Sequence, residues 1–86
     1  MKRCKLLLQR LLTKEVRCCR ARLDLSQEEM AERLRVSPRS YSDLERGVFC
    51  LSAMSLMFFL LMLSMEDVER ILKDFRDMVE ERDVVA

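Results

Sequence analysis

A chain of 86 residues with one Gly and one Pro has almost no material for tight reversals. Hairpin turns draw on residues that tolerate or preset unusual backbone angles, and phosphate-cradling loops need several Gly. Sandwiches, barrels and Gly-rich nucleotide loops are thereby excluded. The apolar residues agree: fifteen Leu and seven Met stand against seven Val, one Ile and one Thr, a helical distribution. Half of the chain is hydrophobic and 36% is charged, so it reads as globular rather than disordered. One all-α domain over residues 1–86 is expected.

The chain has no His. That removes Ser-His-Asp and Cys-His nucleophilic systems, HExxH metal sites and imidazole acid–base chemistry. Cys4, Cys18, Cys19 and Cys50 form no CxxC pair, and no His can complete a zinc site. Cys18 and Cys19 are expected on different faces of one helix, as small apolar residues. No enzyme, metal or cofactor is expected, and no small-molecule ligand is evident.

Charge is uneven although the net is only +1. Residues 1–47 carry twelve Lys/Arg against seven Asp/Glu; residues 48–86 carry four against eight. The basic half suits a polyanion. From Val48 to Met65 eighteen residues carry no charge, close to the minimum for a membrane span. Ser52 and Ser64 sit where helix caps belong, however, which limits the helix to about 53–63, roughly 16 Å at 1.5 Å per residue. That is too short for a hydrocarbon core of about 30 Å. The first twelve residues, interrupted by Gln9 and Arg10, do not read as a signal peptide.

Cap chemistry divides the chain into five helices. Leu8, Leu11, Leu12, Val16, Cys19 and Leu23 recur at helical spacing in the first, which starts at Lys2 or Lys5. Ser26 with Glu29 makes a capping box for a short second helix, with Met30, Ala31 and Leu34 inward. Ser37-Pro38 opens a third over about 38–46, with Tyr41 and Leu44 inward, and Gly47 stops it. A fourth covers about 53–63. Ser64 with Asp67 offers a further capping box for a fifth over about 65–81. Its apolar stripe is Val68, Ile71, Leu72, Phe75, Met78 and Val79, and residues 83–86 are expected to fray.

Two short capped helices joined by a brief turn describe a helix-turn-helix, with its core at about 26–47. The residues Arg20-Ala-Arg-Leu-Asp-Leu-Ser-Gln-Glu-Glu-Met-Ala-Glu-Arg-Leu34, then Val36-Ser-Pro-Arg-Ser-Tyr-Ser-Asp-Leu-Glu-Arg-Gly47, resemble the lambda-repressor/Cro-like (XRE) helix-turn-helix family. The resemblance implies a compact five-helix domain that binds double-stranded DNA as a small transcriptional regulator, in a bacterial cytoplasm. The helix opened by Pro38 would enter the major groove. Pro38, Arg39, Ser42 and Asp43 would then face the duplex beside Ser37. Arg39 is the strongest base-reading candidate, since its planar fork fits guanine O6 and N7. Asp43 could accept from cytosine or orient Arg39. The resemblance puts Gln27 on backbone phosphate, with Arg46 and Arg35 as weaker phosphate candidates. It also implies a buried pair between Arg20 and Glu45 that fixes the angle of the reading helix, so that reversing both charges should restore folding lost in either single reversal.

Two departures from the family stand out. Arg35 occupies a turn position where relatives mostly carry Gly; a left-handed backbone there costs about 1 kcal/mol for any other residue, or the turn changes shape. The fourth helix is apolar on both sides. Ala53, Leu56, Met57, Leu60 and Leu63 are expected inward, yet Met54, Phe58, Leu61 and Met65 also repeat at helical spacing. Such a surface needs cover from the first or fifth helix, a second subunit or another protein. A homodimer is the favoured expectation. The competing reading is a protein-interaction module, such as an antitoxin or phage-type adaptor, working through the fourth helix.

Overall fold

The computed structural model describes the backbone of residues 2–85 and the side chains of residues 5–81. Five helices follow in order: α1 Lys2–Leu23, α2 Gln27–Leu34, α3 Pro38–Glu45, α4 Ala53–Leu61 and α5 Met65–Val85. No strand occurs among the described residues. α4 stops two residues before the expected Leu63, and α5 continues past Glu81 to Val85, there being no Gly or Pro to end it. Ala86 lies outside the described residues.

Each short helix starts on a serine hydroxyl that takes up a backbone donor its first turn would otherwise leave unpaired. Ser26, Ser37 and Ser52 accept from the amides of Glu29, Ser40 and Ser55. Glu29 completes the box by accepting from the Ser26 amide at 2.9 Å, which holds its carboxyl below the usual range. Ser64 likewise accepts from the Asp67 amide at 3.1 Å. The Asp67 carboxylate, expected to reach back, faces Arg22 at 3.5 Å and Arg70 at 3.9 Å instead.

Three helices end alike, each on a left-handed residue: Asp24 (φ 56°), Arg35 (φ 62°) and Gly47 (φ 78°). In each case the next residue's amide returns to a carbonyl five residues back: Leu25 to Arg20, Val36 to Ala31 and Val48 to Asp43. This is the Schellman closure, which satisfies orphan carbonyls and turns the chain sharply. The turn at Arg35 therefore keeps the shape that Gly would give it. Its guanidinium lies 5.1 Å from the ring centroid of Phe58 in α4. That cation–π contact contributes about 0.5–1 kcal/mol at an exposed site, enough to offset much of the backbone strain.

The core gathers Leu11, Leu12, Val16 and Cys19 of α1, Met30, Ala31 and Leu34 of α2, Tyr41 and Leu44 of α3, Phe59 of α4 and Ile71 of α5. α2 packs on α3 and α4, and α1 on α3 and α5. Cys18 is exposed on a different face from its buried neighbour Cys19, whose thiol burial pushes up. Leu23 and Leu72, expected inward, are exposed: Leu23 sits in the last turn of α1, at the margin of the packed layer.

The phase of α4 differs from expectation. Its buried row is Ser55 and Phe59, flanked by half-buried Leu56, Leu60 and Met62. Ala53 and Met57 face outward, Met57 at 58% exposure. An almost uniformly apolar helix carries no phase information in its periodicity; the fit against α2 decides which row is buried. Among the described residues, nothing of α1 or α5 covers the other side, and Met54, Met57, Leu61 and Met65 all stand exposed. Phe58 is half-buried beneath Arg35.

Glu15 was not foreseen as a structural residue. It occupies an inward position of α1, and Arg70 of α5 reaches it with two bonds of 2.8 and 3.0 Å. The hydrogen bonds from Arg70 hold the Glu15 carboxyl below its usual range despite its burial. A charge inside the Leu11–Leu12–Val16 stripe was the only sequence sign of it.

Candidate nucleic-acid interface

Glu45, the last residue of α3, is where the three helices of the candidate site meet. Its carboxylate accepts from Arg20 Nε at 2.6 Å and Arg20 Nη2 at 3.2 Å. The Tyr41 hydroxyl, one turn back on α3, donates to the same group. Gln27 Nε2, at the first position of α2, donates to it at 3.0 Å. Arg20 also donates through Nη1 to the Leu25 carbonyl at 3.1 Å, which ties the α1–α2 junction into the same cluster.

Burial alone would push the Glu45 carboxyl up, but the hydrogen bonds from Arg20 and Tyr41 outweigh it and leave the group below its usual range. Burial first, and then the bond to Glu45, push the Tyr41 phenol up. The cluster is thus one carboxylate with three donor residues from three helices. It holds the axis of α3 relative to α1 and α2.

α1 also satisfies carbonyls at the C-terminal end of α3. Thr13 donates to the Leu44 carbonyl at 3.3 Å, and Gln9 donates to the Gly47 carbonyl at 2.6 Å. Sequence reasoning missed both. A polar side chain facing a helix C-terminus from another helix has no local signature.

Around this anchor the remaining residues fall into two groups. Pro38 and Arg39 are exposed in the first turn of α3, and Ser42 is half-buried one turn on. Ser37 does cap duty: its Oγ accepts from the Ser40 amide and donates to Ser40 Oγ. Asp43 is paired with Arg46 rather than with Arg39. That pairing neutralises a charge which would otherwise repel a polyanion. Gln27 uses one amide hydrogen on Glu45 and keeps a second to offer outward. Arg35, turned over Phe58, is committed to α4.

Among the described residues, no group of His, Cys, Asp or Glu is arranged to hold a metal ion. No described helix is long and apolar enough to cross a membrane. Residues 16–57 match a family model described as helix-turn-helix. The match begins in the second half of α1 and ends within α4, so it spans the Glu45 cluster and all three left-handed turns. No curated protein and no solved structure matches the chain.

Proposed function

Residues 16–57 belong to the helix-turn-helix family of the lambda-repressor/Cro-like type, and on that premise we propose that the chain is a sequence-specific binder of duplex DNA that acts as a small transcriptional regulator. α3 enters the major groove by its N-terminal turn. Arg39 reads a base edge, Ser42 lies beside it, and Gln27 and the first turn of α2 meet backbone phosphate. The observation that carries this reading is the Glu45 cluster. It fixes α3 against α1 and α2 while leaving Arg39 exposed and free of any acidic partner among the described residues. A reading helix must be rigid in its seat and free on its face.

The test is selection of duplexes from a random library, run with the wild type and with Arg39→Ala. The wild type should enrich a base motif. The variant should lose about 1–3 kcal/mol of discrimination at one position of it and keep the rest. A motif unchanged by the substitution would remove Arg39 from the reading role.

The same reading includes a homodimer. Met54, Met57 and Leu61 lie on one side of α4, with Met65 at the start of α5, and Leu61 and Met65 are each 78% exposed. Apolar patches beyond a few hundred Å² mark interaction sites on soluble proteins. A two-fold dimer through this face would present two α3 helices to half-sites about one helical turn apart. Sedimentation should give a dimer at tens of micromolar, and Leu61→Glu should return it to monomer. A monomeric wild type at that concentration would assign the face to a different protein, the interaction-module reading.

A further inference from the structure

Three cations of α1 remain outside everything described so far. Arg10, Lys14 and Arg17 recur at the i, i+4, i+7 spacing of one helix row, and all three are exposed. None has an acidic partner within 4 Å among the described residues, whereas Arg20, Arg22, Arg46 and Arg70 all do. Like charges one turn apart destabilise a helix by a few tenths of a kcal/mol per pair. The row therefore weakens α1 unless an anion lies along it.

The surroundings are prepared for an anion. The row forms one wall of an open cleft of about 520 Å³, with Glu45, Arg46 and Gly47 opposite. A helix C-terminus normally repels negative charge through its free carbonyls. Here Thr13 and Gln9 donate to the carbonyls of Leu44 and Gly47. The Glu45 carboxylate is matched by Arg20, and Asp43 by Arg46. The negative groups nearest the cleft are thus already engaged, and the three cations are not.

We propose that Arg10, Lys14 and Arg17 contact successive phosphates of one DNA strand, so that α1 extends the duplex footprint beyond the helix-turn-helix. The shape favours a strand over a small ion: the three charges are strung along about 10 Å of helix axis, not gathered around a point. The cleft is lined by Glu45, whose carboxylate also accepts from Gln27, so one residue links the row to the first position of α2. Arg10 and Lys14 lie outside residues 16–57, and the contact is therefore an addition to the family segment. The inference rests on the DNA-binding reading above.

The experiment compares the full chain with its Arg10→Gln/Lys14→Gln/Arg17→Gln variant on the duplex enriched by the wild type. Affinity is measured against salt, and thermal melting verifies that the variant folds. The slope of log affinity against log salt should become shallower by about 2–3, at roughly 0.9 per lost contact, with the enriched motif unchanged. Trimming the flanking base pairs should bring the wild-type slope to that of the variant. A folded variant with the wild-type slope overturns the proposal and leaves the DNA-binding reading intact. A wild type that enriches and binds no duplex overturns both.

Discussion

Phe59→Ala should lower stability by about 3–5 kcal/mol, the usual cost of emptying a fully buried aromatic site. Phe59 has no solvent exposure and is the one residue of α4 that enters the core completely. A chain of this size has roughly 4–13 kcal/mol to lose, so the variant should melt at least ~15 °C lower or fail to fold. Met57→Ala in the same helix, compared at a concentration too low for dimer formation, should change stability by no more than about 0.5 kcal/mol, because Met57 is 58% exposed on the single chain. Thermal unfolding followed by circular dichroism decides between the two phases of α4. A larger loss at Met57 than at Phe59 would restore the phase expected from the sequence.

Glu45→Ala should be nearly as severe, at about 2–4 kcal/mol. It strips the acceptor from Arg20, from the buried Tyr41 hydroxyl and from Gln27 at once. Glu45→Gln, which still accepts but carries no charge, should lose less. The cluster also revises the charge-reversal expectation. Exchanging Arg20 and Glu45 re-forms one ion pair but sets an Arg opposite the Tyr41 hydroxyl and the Gln27 amide, neither of which can donate to it. Only part of the loss should return.

The pH response has the same origin. Glu45 and Glu15 both sit below their ordinary value of 4.5 when folded. At a pH near that value the unfolded chain binds more protons than the folded one, so stability rises with pH there. The contribution should be complete above about pH 5.5 and lost progressively as the pH falls below 4.5. With no His, urea midpoints between about pH 6 and 8 should be flat. A midpoint that rose on acidification to pH 4 would contradict the assignment of both carboxylates.

What could be read in advance divides along a physical line. Ser26, Ser37 and Ser52 announce helix starts because a cap bonds within three residues of itself, and Gly47 ends α3 for an equally local reason. Helix order and most boundaries followed from such residues. Asp24 was a local signal overlooked: Asp is one of the few residues that readily adopts a left-handed angle. Contacts chosen by packing were not legible. Glu15 and Arg70 lie 55 positions apart, and Gln9 and Gly47 lie 38 apart. Within the site, the Arg20–Glu45 partnership was available only through family resemblance. Tyr41 stands one turn before Glu45, a spacing that permits their contact, but that Gln27, 18 positions away, converges on the same carboxylate was written in neither periodicity nor spacing.

On the proposed DNA-binding reading, the way α3 is held has a consequence for how such a protein can change its target. Its seat depends on Tyr41, Leu44 and Glu45 and on two main-chain carbonyls, those of Leu44 and Gly47. A carbonyl is present whatever residue carries it. Among the described residues, no side-chain hydrogen bond from position 39 or 42 enters the attachment, so exchanging exposed Arg39, or half-buried Ser42 for a residue of similar size, leaves the helix where it is. One or two substitutions could then alter which bases are preferred without a penalty in folding. On that reading, retargeting and stability are nearly independent variables in this scaffold, and new specificities are within reach of very short mutational paths.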